Sequence, residues 1–207
     1  MSDIKESELI KKAAKGDPNA FELLMLQYQT QVYNLCYRIL GNPDDAADMT
    51  QETFLKAWRS LDGFHMESSL STWLYRLANN SCLDLLRSKK RKPTISIVGE
   101  DENGEESIFD PVDPSPQPDE ILIQKEENLL LQKALLSLDE QQRAILTLRV
   151  VNDMSYEDIS RVLQIKEGTV KSRLARARET LRKKVLQLRN KSQSPSSKKR
   201  KENDYEM

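Results

Sequence analysis

The chain has 207 residues, a formal net charge of -1 and 31 % charged against 6 % aromatic side chains. That length allows one large domain or two small ones, and the balanced charge excludes a protein that is basic as a whole. No apolar run approaches the roughly 18 residues a bilayer demands, and no signal-peptide core opens the chain, so a cytoplasmic location is expected.

Asp17-Pro18 opens the first strongly patterned helix with a cap and a proline at the first position. Phe21, Leu24, Tyr28, Val32, Leu35 and Ile39 then recur at helical spacing, and Gly41-Asn42 ends the run. Asn42-Pro43 starts the next helix, with Asp44 and Asp45 in its first turn. This helix is expected to bury Ala47, Phe54, Ala57, Trp58 and Leu61. Its other face carries Asp45, Asp48, Glu52, Lys56 and Arg59, which taken alone is an ordinary solvated face.

The loop "DGFHMESS" leads to a third helix, from about Ser71 to Lys92, that ends in the cationic run "RSKKRK". Trp73, Arg76, Asn80 and Arg87 share one face of it, with Tyr75 and Asn79 beside them. Aromatics, amides and cations together suit unstacked bases better than duplex DNA. The competing reading makes Trp73 and Tyr75 core residues. Cys36 and Cys82 lie inside helical patterns, without metal-ligand spacing, and His65 is the sole histidine. Two buried, reduced thiols are expected, with no metal and no cofactor.

Residues 93–119 hold five of the eight prolines and eight acidic residues, with no Lys or Arg. Such a segment buries too little apolar surface to fold alone and reads as a linker. A second helical module is expected over 120–190, and a basic, disordered tail over 191–207. Within it "EILIQKEENLLLQKALLSL" is one helix, Asp139 caps the next with Gln142 three residues on, and Ser155 caps a third with Asp158 three residues on.

From Tyr156 to Ala177 the spacing is that of a helix-turn-helix. Ile159, Val162 and Leu163 of its first helix face Val170, Leu174, Ala177, Leu181 and Val185 of its second. That leaves Thr169, Ser172, Arg173 and Arg176 on an exposed face, with Lys171, Arg178 and Arg182 beside it. The start of such a helix enters the major groove. Lys and Arg neutralise phosphates there, and Arg reads guanine edges in a bidentate way.

Together these pieces resemble a bacterial sigma factor of the extracytoplasmic-function (ECF) group. The runs that carry the resemblance are "GDPNAFELLMLQYQTQVYNLCYRILGN", "DDAADMTQETFLKAW", "STWLYRLANNSCLDLLR" and "MSYEDISRVLQIKEGTVKSRLARARETL". The resemblance implies an all-α fold of two small helical domains joined by the acidic, proline-rich linker. It implies that core RNA polymerase docks on the second helix, through Asp44, Asp45, Asp48, Gln51 and Glu52. It implies that the −10 element is held by Phe64, Glu67, Ser68 and Ser69 of the loop with Trp73, Tyr75, Arg76, Asn79 and Asn80 of the third helix. The −35 element falls to Thr169, Lys171, Ser172, Arg173, Arg176 and Arg178. Promoter DNA, core polymerase and an anti-sigma protein are the implied partners, and no catalytic residue is implied.

Two residues depart from the family pattern: Leu70 stands where many members have an aromatic side chain, and Lys166 where a Ser or Pro often precedes the recognition helix. The alternative reading is a helix-turn-helix regulator that acts without polymerase. The N-terminal half lacks the alternating strands of a receiver domain. An enzyme is third, since the chain has no nucleotide loop, histidine cluster or nucleophile elbow.

Overall fold

The computed structural model describes residues 2–64, 66, 68–91 and 118–192, with side chains described for all of these except 2–5, 118–126 and 192. Residues 93–117 of the linker expected over 93–119, residues 193–207 of the tail expected over 191–207 and the assignment of Glu67 lie outside the described residues. Among the described residues the regular elements are helices, and none is long and apolar enough to cross a membrane.

The first helix, α1 (Ser2–Ala14), precedes the first one legible in the sequence. Its stripe is short: Ile10 and Ala13 are buried, and Leu9 packs at the edge. Helix α2 (Pro18–Leu40) starts where Asp17 accepts from the amides of Asn19 at 3.0 Å and Ala20 at 3.3 Å. It stops at Gly41, whose φ of 74° is left-handed and whose N–H donates to the Tyr37 carbonyl at 2.8 Å. Ala20, Leu24, Tyr28, Val32, Leu35, Cys36 and Ile39 form the buried stripe.

Helix α3 (Pro43–Ser60) is capped by Asn42, which accepts from the Asp45 amide at 2.9 Å. Its buried seam is Ala46, Thr53, Phe54 and Ala57. This corrects the expected core: Ala47 is exposed, and Trp58 is 37 % exposed, resting on Phe21 with ring centroids 4.9 Å apart. Residues 47 and 58 lie eleven apart, on one line of the helix. That line faces outward because the seam between α2 and α4 passes one position to its side.

A 3₁₀ turn (Leu61–Gly63) leads into α4 (Leu70–Arg91), which buries Leu70, Trp73, Leu74, Ala78 and Cys82. Cys36 and Cys82 are free buried thiols. A hydrogen bond with Cys36, then burial, pushes the Cys82 thiol up.

The C-terminal half contains α5 (Pro118–Leu136), α6 (Glu140–Leu146), a π-helical turn (Thr147–Val151), α7 (Tyr156–Leu163) and α8 (Glu167–Ser192). Asp139 accepts from the Gln142 amide at 2.8 Å, and Ser155 from the Asp158 amide at 3.0 Å. Gln164, left-handed at φ 54°, closes α7, and α8 begins two residues after Ile165. Lys166 contributes its carbonyl, not its side chain, to that start: it accepts from the amides of Thr169 at 2.8 Å and Val170 at 3.0 Å. Ile159 and Val162 of α7 share the core with Val170, Leu174 and Ala177 of α8.

The two halves are in contact. The end of α2 packs on α5 and α6, and α4 packs on α7.

Candidate functional site

Three surfaces collect the polar residues singled out in the sequence. The first is the outer face of α3, where Asp44, Asp48 and Gln51 stand exposed. Asp45 is turned aside into an ion pair with Lys89 of α4. Glu52 pairs with Lys56 at 3.5 Å, and Lys56 in turn donates to Ser81 at 2.9 Å. The expected five therefore split into three groups open to a partner and two that tie α3 to itself and to α4.

Gln51 borders an open groove between α2 and α3 of about 510 Å³, lined by Met25, Tyr33, Ala47 and Phe54. A neighbouring depression of about 360 Å³ continues past Leu55 and Trp58. These apolar residues were missed as surface. Their signal was present, since α3 carries a second apolar line at Ala47, Leu55 and Trp58 that its core does not need.

The second surface is α4. Trp73 is a core residue, 7 % exposed, with its ring 5.1 Å from that of Phe64. It does not present a stacking face of its own, which corrects the grouping with Arg76 and Asn80. Phe64 and Ser68 are half-buried, and Ser69 is exposed at the helix start, where its hydroxyl accepts from the Thr72 amide at 3.1 Å. Arg76 is half-buried and Asn80 exposed.

Tyr75 is buried, as the competing core reading has it, and Asn79 is buried too, contrary to the exposed position expected beside that face. The Tyr75 hydroxyl donates to Gln31 at 3.0 Å and meets the side chain of Asn152, and burial pushes its phenol up. Thr72 donates to Asp158 of α7 at 3.4 Å. A cleft of about 690 Å³ lies between the halves here, lined by Tyr28, Gln31, Thr72, Tyr75, Asn152 and Asp158. Thr72, Tyr75 and Asn79 share one face by helical spacing, and Asp158 and Asn152 stand against its Thr72 and Tyr75. Asn79 is 1 % exposed, and its Oδ1 has no hydrogen-bond partner.

The third surface is the first half of α8. Lys171, Ser172, Arg176 and Arg178 are exposed, and Thr169 and Arg173 half-buried. Ser172 donates back to the Thr169 carbonyl at 3.0 Å. The Lys171 ammonium stands over the Tyr156 ring, 5.7 Å from its centroid. Among the described residues no acid lies within ion-pair distance of Lys171, Arg173, Arg176 or Arg178. Uncompensated cations on an exposed helix face suit a polyanion. Arg173 and Arg176 border a polar hollow of about 290 Å³ with Asp139, Gln141 and Gln142 at the start of α6. The two glutamines were missed; their amides add donors and acceptors beside the arginines.

The sequence matches two family models: Sigma-70 region 2 over residues 24–92, and Sigma-70 region 4 over residues 128–181. It is 34 % identical over 179 residues to the ECF RNA polymerase sigma factor SigW of Bacillus subtilis, covering 86 % of this chain and 96 % of the relative. It is 35 % identical over 180 residues to the ECF RNA polymerase sigma-E factor of Escherichia coli K12, covering 87 % and 94 %. Among solved structures it is similar to the sigma factor RpoE of Bartonella quintana in complex with the anti-sigma factor NepR. That match has a TM-score of 0.60 and 26 % identity, over 80 % of this chain and 96 % of that one. The fold is also that of CnrH in complex with the cytosolic domain of CnrY, at a TM-score of 0.60 and 22 % identity over 86 % of this chain and 94 % of that one.

Proposed function

The chain belongs to the ECF group of RNA polymerase sigma factors, and from that membership we propose how its three surfaces divide the work of initiation. As a sigma factor it binds core RNA polymerase and directs it to promoters. Asp44, Asp48 and Gln51, beside the apolar groove, form the polymerase contact, and Asp45 and Glu52 brace that helix. The loop from Phe64 to Ser69, with Arg76 and Asn80, holds the −10 strand. Tyr75 and Asn79 join it when α7 moves off, and Trp73 supports Phe64 from below. The first half of α8 reads the −35 element through Thr169, Lys171, Ser172, Arg173, Arg176 and Arg178.

In this division residues 1–92 are the polymerase and −10 domain, 93–119 the tether, 120–190 the −35 domain and 191–207 a tail. The protein works in the cytoplasm, without catalysis of its own, and is held in check by an anti-sigma protein. The capture of the similar RpoE with NepR supports that last partner.

The observation that carries this reading is the cationic face of α8, where Lys171, Arg173, Arg176 and Arg178 have no acid within ion-pair distance among the described residues, set on a helix-turn-helix core. Mixed with bacterial core RNA polymerase, the purified chain is expected to comigrate with it in gel filtration. A chain that elutes alone while still binding duplex DNA would favour the regulator reading instead.

The α8 residues separate by role. Arg173→Ala or Arg176→Ala should lose about 1–3 kcal/mol on a selected −35 duplex and relax preference at one base pair. Lys171→Ala should weaken all duplexes alike and lower the salt slope by about one. Fluorescence anisotropy over a salt series on selected and scrambled duplexes reads both. If both arginine variants bind the selected duplex as tightly as the parent chain, α8 does not face the bases.

A further inference from the structure

The two glutamines beside the reading helix have no work inside the fold. Gln141 is exposed and Gln142 half-buried, and with Arg173 and Arg176 they wall the hollow of about 290 Å³ between α6 and α8, above the buried Ile145. A capping box would send the Gln142 carboxamide back to the Asp139 backbone amide. Only half of it forms: Asp139 accepts from the Gln142 amide at 2.8 Å, and the Gln142 side chain stays on the hollow. Among the described residues the side chains of Gln141, Gln142, Arg173 and Arg176 make no hydrogen bond or ion pair within the chain.

The support under the glutamines is rigid. Arg143, the next residue, is a charged side chain only 8 % exposed, and a buried guanidinium persists where carbonyls satisfy it. It donates to the carbonyls of Leu136 at 2.8 Å and Leu138 at 3.1 Å, and to that of Ile39. These bonds fix the corner from which α6 starts, so Gln141 and Gln142 face Arg173 and Arg176 from a held element and not from a loose loop. The cations of α8 part accordingly. Lys171 stands over Tyr156 of α7, whereas Arg173 and Arg176 border α6.

The hollow mixes polarities. Its arginines only donate, the Asp139 carboxylate only accepts, and each carboxamide does both. A seat for phosphate alone would be weakened by the carboxylate, through like-charge repulsion. Base edges in the major groove present donors and acceptors side by side. A carboxamide matches adenine there, donating to N7 and accepting from the N6 amino group.

We propose that α6 supplies a second reading element for the −35 duplex: Gln141 and Gln142, across the hollow from Arg173 and Arg176, contact base edges and set a preference for an A·T pair beside the pairs the arginines read. This rests on α8 being the −35 surface. The glutamines are specificity residues of that site, and their contribution carries no charge.

The test uses the full chain. The parent first selects its preferred duplex from a randomised pool. Fluorescence anisotropy over a salt series then compares that duplex, its single-pair variants and a scrambled duplex. Gln141→Ala/Gln142→Ala should bind the selected duplex at least about fivefold more weakly. It should bind the scrambled duplex within twofold of the parent and keep the parental salt slope, since neutral side chains release no counterions. Its preference should relax at an A·T pair that Arg173→Ala and Arg176→Ala leave intact. Gln141→Ala alone, an exposed change, serves if the double variant fails to fold. Parental affinity for the selected duplex overturns the proposal. So does equal weakening on both duplexes, or preference lost only at the pairs the arginines read, because either is what a merely structural role would give. A parent that selects no sequence, or arginine variants that keep every preference, overturns the reading of α8 itself. Arginine variants that relax while the glutamine variant does not overturn this inference alone.

Discussion

Replacing Asp48 and Gln51 together by lysine is expected to weaken association with core RNA polymerase by about 2–5 kcal/mol, roughly 30- to several-thousand-fold. Both side chains are exposed on successive turns of α3, and Gln51 borders the groove between α2 and α3. A partner seated in that groove dries the carboxylate beside it. A charge pair that becomes buried on binding costs far more to reverse than one left at a wet rim. The fold should be indifferent, because neither side chain is buried and exposed substitutions shift stability by no more than about 0.5 kcal/mol.

Asp45 supplies the control. Its carboxylate pairs with Lys89, so Asp45→Ala removes a brace between α3 and α4. An exposed pair of this kind contributes about 0–1 kcal/mol to stability. Titration of labelled core polymerase, beside urea denaturation of each variant, separates the two effects. Parental affinity in the Asp48→Lys/Gln51→Lys chain removes this face from the polymerase contact.

The caps were the most legible part of the sequence. Asp17, Asn42, Asp139 and Ser155 each take the role their residue type suggests, because a cap is settled within three residues. The helix-turn-helix stripe was legible for a similar reason, since it spans about twenty residues of one local motif. The two tryptophans were not. Trp58 was assigned to the core and is exposed; Trp73 was left between a base-binding and a core reading and is buried. Periodicity shows that a helix has an apolar line, but not against which line its neighbours stand, and α3 has two.

Tyr75 and Asn79 failed for a different reason. A face of hydroxyls and amides reads the same whether it meets solvent, nucleic acid or another module. Here its Tyr75 meets Asn152, 77 residues further along the chain. Arg143 was the least legible of all. Its neighbours Gln141 and Gln142 suggest a polar turn, and its decisive acceptor is Ile39, 104 residues away. No pattern within α6 encodes that contact. The faces whose exposure the sequence conveyed are those one helix builds alone.

Leu174→Ala sets the contribution of the helix-turn-helix core against that of its reading face. Leu174 is fully buried in α8, in the core that holds Ile159 and Val162 of α7. Truncating such a leucine removes buried apolar surface and leaves a cavity, at about 2–5 kcal/mol. A module of roughly 70 residues has about 4–10 kcal/mol in total at 0.05–0.15 kcal/mol per residue. The substitution therefore takes from about a fifth of the module's margin to all of it. Urea denaturation should show a lower midpoint for the C-terminal half, and hydrogen exchange should show lost protection along α7 and α8. Protection along α2 and α3 should persist, since their core of Leu24, Val32, Leu35 and Phe54 is built within the other module. Binding to duplex DNA should fall with the folded fraction, and lowering the salt should not restore it as it would restore a lost phosphate contact. Arg173→Ala should do the reverse, keeping the unfolding midpoint while losing base preference. Leu186→Ala, at an exposed position on the same helix, should change neither. If Leu174→Ala keeps both the parental midpoint and duplex affinity, the packing of α8 on α7 is not what holds the reading helix in place.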